Sequence, residues 1–332
     1  MKRSASIITH DLTTGYHTQK GEKVISRDIN ESIYSGELTC LLGSNGAGKS
    51  TLLKTLSAFL PPLGGSLEIE GKDLSAYSDI ELAKVIGVVL TDRINIDNMS
   101  VGELVAMGRS PYTGFWGRLG KEDQKIVEHA MEFMKITDFR DRMVQSLSDG
   151  ERQKVMIAKA LAQSTPIIFL DEPTAFLDYP SKVEIMQQLH NLSREEGKTV
   201  FMSTHDLELA LQISDKIWLL DKNIGVETGT PEDLSLSGDL DRFFKREGIE
   251  FDREEGLFRI SHKIRGEMKV FGTDSGRVNM VAKALLRNGI KADREVESPL
   301  SVEVVPDGYV FNGQKAKSIK ELLDLIMDAS AV

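Results

Sequence analysis

Gly43-Ser44-Asn45-Gly46-Ala47-Gly48-Lys49-Ser50-Thr51 is the stretch whose reading decides the fold. It matches the phosphate-loop pattern G-x-x-x-x-G-K-[ST], and its flanks suit that pattern. The apolar run Leu38-Thr39-Cys40-Leu41-Leu42 reads as a buried strand entering the loop, and Thr51–Leu56 reads as a helix leaving it. Glycines let the backbone curl into a nest whose N–H groups converge on one anion. The helix adds the positive end of its dipole. In such a loop Lys49 reaches the terminal phosphates of a nucleoside triphosphate and the Ser50 hydroxyl is placed to ligate Mg²⁺.

Working outward, four apolar runs read as buried strands: the one before the loop, Val85–Leu90, Pro166–Leu170 and Thr199–Ser203. Uninterrupted apolar strands separated by helical segments imply a parallel sheet covered on both faces. Residues 1–30 read as short strands with turns, Pro61–Gly65 as a breaker, and residues 100–145 mainly as helices. Asp171 follows the third apolar run, at the carboxyl end of its strand, where a carboxylate can hold Mg²⁺ directly or through water. Glu172, beside it, is placed to orient and deprotonate a water attacking the γ-phosphate.

The chain has 332 residues, 40% of them hydrophobic and 28% charged, with a formal net charge of −10. That length suggests one large and one small domain. The acidic balance argues against a sequence-independent grip on nucleic acid, which needs a basic footprint. No apolar run approaches the ~18 residues that span a bilayer, and Met1–Ser4 lacks the apolar stretch of a secretory signal. A cytosolic location is therefore expected. Cys40 cannot form an internal disulfide and reads as a small buried hydrophobe. The six histidines show no metal-ligand spacing.

Past about residue 245 the texture changes, and residues 252–332 carry 13 basic and 13 acidic side chains. Lys269–Phe271 reads as a strand. Val278, Val281, Ala282, Leu285 and Leu286 form a helical stripe ended by Gly289, and Ser301–Val305 with Tyr309–Phe311 read as a hairpin turning at Pro306-Asp307-Gly308. A closing amphipathic helix carries Ile319, Leu322, Leu323, Ile326 and Met327. These elements predict a small α+β domain over 249–332, beside a nucleotide-binding domain over 1–248. Gly272–Gly276 reads as a helix cap in preference to an anion cradle. A regulatory or dimer-stabilising role is expected for this second domain.

Leu147-Ser148-Asp149-Gly150-Glu151-Arg152-Gln153 lies some twenty residues before Asp171. It resembles the L-S-G-G-Q signature of ATP-binding cassette (ABC) ATPases, with Asp149 standing for a glycine and Glu151 for glutamine. The resemblance spans about residues 5–245. It implies an α/β phosphate-loop NTPase core, an antiparallel β subdomain and a helical signature subdomain. By the same resemblance Tyr16 stacks on adenine, Phe176-Leu177-Asp178 is the loop that crosses a dimer interface, and His205 touches the γ-phosphate. Gly43, Ser44, Asn45, Gly46, Ala47, Gly48, Lys49, Ser50 and Thr51 of one protomer would share ATP with Ser148, Gly150 and Glu151 of another. Ser50, Asp171 and Asp92 would serve Mg²⁺. Asp92 falls in the slot where the family usually places a glutamine.

Met99–Tyr112 resembles the segment of the iron-siderophore, haem and vitamin B12 importers that meets the membrane subunits. The resemblance thus implies an ATP-hydrolysing importer subunit that works as a homodimer, peripheral on the inner face of the cell membrane. Its partners would be separate permease subunits and, indirectly, a substrate-binding protein, with no nucleic acid. The alternatives are a soluble cassette ATPase acting on nucleic acid or ribosomes, and an exporter subunit. One phosphate loop and the lack of a heptad run count against the first, and Val101–Tyr112 counts against the second.

Overall fold

The structure is a computed structural model and describes residues 4–19, 21–90, 98–114, 117–244, 248–252 and 256–330. The chain forms two compact units, Met1–Lys245 with Arg253–Leu257 and Arg246–Asp252 with Phe258–Val332.

The first unit opens with β1 (Ala5–Thr18), β2 (Gly21–Ile29), β3 (Ser32–Tyr34) and β4 (Leu38–Gly43), followed by α1 (Lys49–Leu56). Next come β5 (Gly64–Ile69), β6 (Lys72–Asp73), α2 (Asp79–Val85), β7 (Ile86–Val89), α3 (Val101–Ala106), α4 (Lys121–Phe133) and α5 (Asp149–Ala162). The core is completed by β8 (Ile167–Asp171), α6 (Tyr179–Glu195), β9 (Thr199–Ser203), α7 (Leu207–Ile213), β10 (Lys216–Asp221), β11 (Gly225–Gly229), α8 (Pro231–Ser237) and α9 (Asp239–Phe244).

One sheet runs β11-β10-β4-β9-β8-β7 and is parallel except for the antiparallel edge pair β10–β11. Every residue of β8 and β9 is buried, as expected for strands covered on both faces. Phe201 stands in the sheet between Phe169, at 5.5 Å, and Trp218, at 5.4 Å and edge-on. Offset and edge contacts of this kind suit the ring quadrupoles.

The second sheet, β2-β1-β5-β6 with β3 on β1, is antiparallel. Here the structure corrects the expectation of short strands over residues 1–30: β1 is 14 residues long and pairs with β2 as a hairpin. Its polar stretch Thr9–Thr18 hides that length, because register shifts near Thr14 break the alternation of buried and exposed residues.

In the second unit, β12 (Ile249–Asp252) pairs with β13 (Leu257–Ile260). They are followed by β14 (Gly266–Gly272), α10 (Ser275–Arg287), β15 (Ile290–Asp293), β16 (Ser301–Val305), β17 (Gly308–Phe311), β18 (Gln314–Ala316) and α11 (Ile319–Ser330). The sheet order is β15-β14-β16-β17-β18. Its core takes Met268 and Val270 from β14, Val302 and Val304 from β16, and Val278, Val281, Leu285, Leu322 and Ile326 from the two helices. The hairpin at 306–308 and both helical stripes fall where the sequence places them, except that Met327 of the second stripe is exposed. Asp274 accepts the backbone N–H of Arg277 and caps α10, so the Gly272–Gly276 segment is a cap.

Cys40 lies in the middle of β4, fully buried, and burial pushes its thiol up to about 12, with lesser effects from Ser214 and Asp215. Only the thiolate is nucleophilic. The native chain should therefore resist alkylation at pH ~8.5, near the ordinary thiol pKa, and label rapidly once unfolded in denaturant. Fast labelling of the folded chain, followed by mass spectrometry, would contradict this burial.

Candidate functional site

The phosphate loop joins β4 to α1, and two close approaches account for Gly43 and Gly48. A Cβ on Gly43 would sit 2.3 Å from the Leu220 carbonyl oxygen on β10. Gly48 has φ 112° and a Cβ there would come 2.3 Å from Ile25 Cγ2 on β2. Gly48 is also the residue from which α1 starts, with the Leu52 N–H bonded to its carbonyl. Ser44 and Ala47 close a turn by a 3.0 Å backbone bond, with Asn45 and Gly46 exposed at its tip.

Lys49 is 6% exposed, and its ammonium donates to the carbonyls of Gly43, at 2.8 Å, and Ser44, at 3.5 Å. The charge thus sits inside the loop. Burial holds this ammonium below the ordinary lysine range, while the nearby carboxylates of Glu172 and Asp171 work the other way. Thr51 is buried and shares a 2.8 Å hydrogen bond with the Tyr16 hydroxyl, which ties the half-exposed Tyr16 ring on β1 to the first turn of α1.

Asp171 ends β8 beside the loop. The Ser50 hydroxyl donates to Asp171 Oδ1 at 3.4 Å, and the Ser203 hydroxyl, at the end of β9, donates to the same oxygen at 2.6 Å. Glu172 follows in the left-handed region, φ 47°, with its N–H directed at Ser203. His205 Nδ1 lies 3.5 Å from Glu172 Oε2. Lys49, Ser50, Asp171, Glu172 and His205 are therefore brought together from β4, β8 and β9, although 156 positions separate Lys49 from His205 (205 − 49).

A hydroxyl and one carboxylate are hard oxygen donors of the kind Mg²⁺ takes alongside phosphate and water. Ser50 and Asp171 fit that ion. Among the described residues no cluster of three or more His, Cys, Asp or Glu could hold a metal, so such an ion would depend on the nucleotide for further ligands. Asp92, placed with Ser50 and Asp171 on sequence grounds, lies outside the described residues.

A second cluster forms on the N-termini of α5 and α6. Ser148 caps α5 and forms a reciprocal capping box with Glu151. Bonds from Arg142 and from the Ser148 N–H hold the Glu151 carboxyl below the usual carboxylate range. Asp149 is exposed. Asp178 caps α6 through Ser181, and its bonds to the Ser181 hydroxyl and N–H lower its carboxyl in the same way. A Cβ on Gly150 would meet Ser181 Oγ at 3.3 Å, so the signature helix and the Phe176–Asp178 loop abut within one chain. Phe176 adopts φ 64° and is 79% exposed.

Sequence reasoning passed over Ser203 as a site residue. Its signal was a single hydroxyl at the end of an otherwise apolar strand.

A nested loop around a buried lysine, with a paired hydroxyl and carboxylate at the neighbouring strand end, defines a phosphate-loop nucleoside triphosphatase. The sequence pattern of the ABC transporter family matches residues 26–175. The iron(3+)-hydroxamate import ATP-binding protein FhuC of Bacillus subtilis (strain 168) is 37% identical over 240 residues, which are 72% of this chain and 88% of that protein. The ferric enterobactin transport ATP-binding protein FepC of Escherichia coli (strain K12) is 35% identical over 233 residues, 70% and 84% of the two chains. A dimeric structure of a post-hydrolysis state of the ATP-binding cassette MJ0796, bound to ADP and Pi, superposes with a TM-score of 0.58 and 29% identity, covering 67% of this chain and 97% of that one. The chain belongs to the ABC transporter family, as an ATP-binding protein that hydrolyses ATP.

Ser203→Ala removes the bond that pins Asp171 and one that seats Glu172. Loss of such outer partners typically costs 10–100-fold. ATP turnover should fall by about that factor with nucleotide affinity little changed. Unaltered turnover in a phosphate-release assay would remove Ser203 from the site.

Proposed function

We propose that this chain is the ATPase subunit of an importer for iron-siderophore complexes, haem or cobalamin. Two copies would close on two ATP molecules and drive separate membrane subunits. The observation that carries the reading is the convergence of Lys49, Ser50, Asp171, Glu172 and His205 at one end of the parallel sheet. The names of the relatives support an importer of iron chelates, and the Met99–Tyr112 segment supports a contact with permease subunits. Among the described residues no helix is long and apolar enough to cross a membrane, which fits a peripheral subunit.

In this mechanism the loop N–H groups and Lys49 take the β- and γ-phosphates, displacing the ammonium's bonds to Gly43 and Ser44. Mg²⁺, held by Ser50 and Asp171, would supply charge neutralisation. Tyr16 stacks on the adenine. Ser148 and Gly150 of the opposite protomer donate to the γ-phosphate, and Asp178 lies at the junction. Glu172 accepts a proton from the water that attacks the γ-phosphorus, the bridging oxygen leaves on ADP, and His205 steadies Glu172 and the phosphate. Charge-assisted hydrogen bonds of about 1.5–3 kcal/mol each make several donors per phosphate enough to favour closure. Loss of the γ-phosphate removes that bridge and reopens the pair. Residues 249–332 would form a regulatory or dimer-stabilising module.

Glu172→Gln keeps the shape and removes the base. It should bind ATP and hydrolyse it at least ~100-fold more slowly, accumulating an ATP-bound dimer visible by size exclusion with light scattering. Normal turnover would remove Glu172 from the role, and a strictly monomeric ATP-bound variant, even beside its permease, would remove the shared-nucleotide engine. Cargo is tested by reconstituting the complete transporter with its binding protein and supplying iron chelates, haem and corrinoids. Uptake of none of them would overturn the import assignment.

A further inference from the structure

The second unit holds a cleft of about 340 Å³ where the loop before β14 meets the end of α10. Its lining includes His262, Lys263, Arg265, Arg287, Gly289 and Met327, and no acidic residue. No carboxylate of a described residue lies within ion-pair reach of Lys263, Arg265 or Arg287. The other described arginines of the unit are all engaged. Arg259 pairs with Asp252, Arg277 donates to the carbonyls of Val305, Pro306 and Gly308, and Arg294 donates to Gly272.

The cleft has a fixed floor. The Arg265 N–H donates to the Gly289 carbonyl at 2.7 Å. Gly289 has φ 77°, and a Cβ there would come 2.8 Å from the Lys263 carbonyl oxygen and 3.6 Å from Arg265 Cγ. The Arg265 stem therefore lies over the glycine, and the basic loop is clipped to the turn after α10. Met327, 54% exposed, supplies an apolar wall from α11. Arg287, in the last turn of α10, complements the negative end of that helix. That accounts for one cation and leaves Lys263 and Arg265 without a structural use.

We propose that this cleft binds a small soluble anion of two or more charges, a phosphorylated compound or a polycarboxylate, held by the guanidinium groups of Arg265 and Arg287 and the Lys263 ammonium. Planar guanidinium forks match phosphate and carboxylate oxygens two at a time. The volume suits a small ligand, and the concave form with one apolar wall favours a compact solute over a flat membrane surface. Such a site gives the accessory unit a signal to read. Its occupancy does not depend on the transport reading.

The test uses the full chain carrying Lys49→Ala, so that the phosphate loop does not take the probe. Pyrophosphate and citrate are titrated separately by calorimetry. At least one should bind saturably, one per chain. Arg265→Gln with Arg287→Gln should weaken it at least about tenfold, while Arg265→Lys with Arg287→Lys keeps part of the affinity. The thermal midpoint without anion should be the same in all three. Should the paired glutamine variant fail to fold, Arg287→Gln alone serves, since that side chain is exposed. The proposal is overturned if neither probe binds at millimolar concentration, or if binding survives the glutamine substitutions unchanged. Binding only to phosphatidylglycerol vesicles, lost in the glutamine variant, would also overturn it and make the patch a membrane contact.

Discussion

Burial of the Lys49 ammonium is the constraint on which the rest of the first unit depends. A charge removed from water is costly unless other groups take over its solvation. Here β4 supplies the Gly43 carbonyl, the loop supplies that of Ser44, and the carboxylates of Asp171 and Glu172 supply opposite charge from the end of β8. Those groups meet only if β4, β9 and β8 lie side by side with their carboxyl ends level. The parallel registers Leu41 to Ser203 and Asp171 to Ser203 achieve that alignment. The aromatic stack of Phe169, Phe201 and Trp218 lies in those strands and in β10, so the packing that stabilises the sheet also fixes where its carboxylates end.

Much of this was legible in the residues because it is local or periodic. The phosphate loop, the four largely apolar strands and the carboxylates at a strand end are each read from a few consecutive positions. The stripe Val278–Leu286 and the turn at Pro306–Gly308 were legible for the same reason. What escaped was set by contacts distant in sequence. β10 lies beside β4 through register pairs such as Trp218 with Leu41, and nothing in Lys216–Asp221 names that partner. The length of β1 was masked by its bulges and by the polar residues of a half-exposed hairpin. Ser203 acquires its place only when β9 is laid against β8. The basic cleft of the second unit joins His262–Arg265, Arg287–Gly289 and Met327, three segments that no motif links.

The acidic departures in the signature follow from the same physics of helix ends. An extra carboxylate near a triphosphate repels it unless the charge is neutralised or turned away. Glu151 is neutralised by Arg142 at 2.8 Å and by the Ser148 N–H, the reciprocal half of a capping box. Asp149 sits in the first turn of α5, where an acid is favourable to the helix dipole, and is exposed. The Ser148 oxygen accepts the Glu151 N–H at 3.3 Å. The Ser148 side chain also hydrogen-bonds to the Glu151 carboxyl. A hydroxyl has one proton to give, so in the proposed dimer a γ-phosphate would compete with Glu151 for it, while the cap that Ser148 places on α5 is untouched. Gly150 then has its own reason to lack a side chain, since α6 arrives within 3.3 Å of where a Cβ would stand. Asp178 thus fixes the start of α6 against the glycine that follows Ser148, and in the proposed engine this contact would link the two halves of the nucleotide seat.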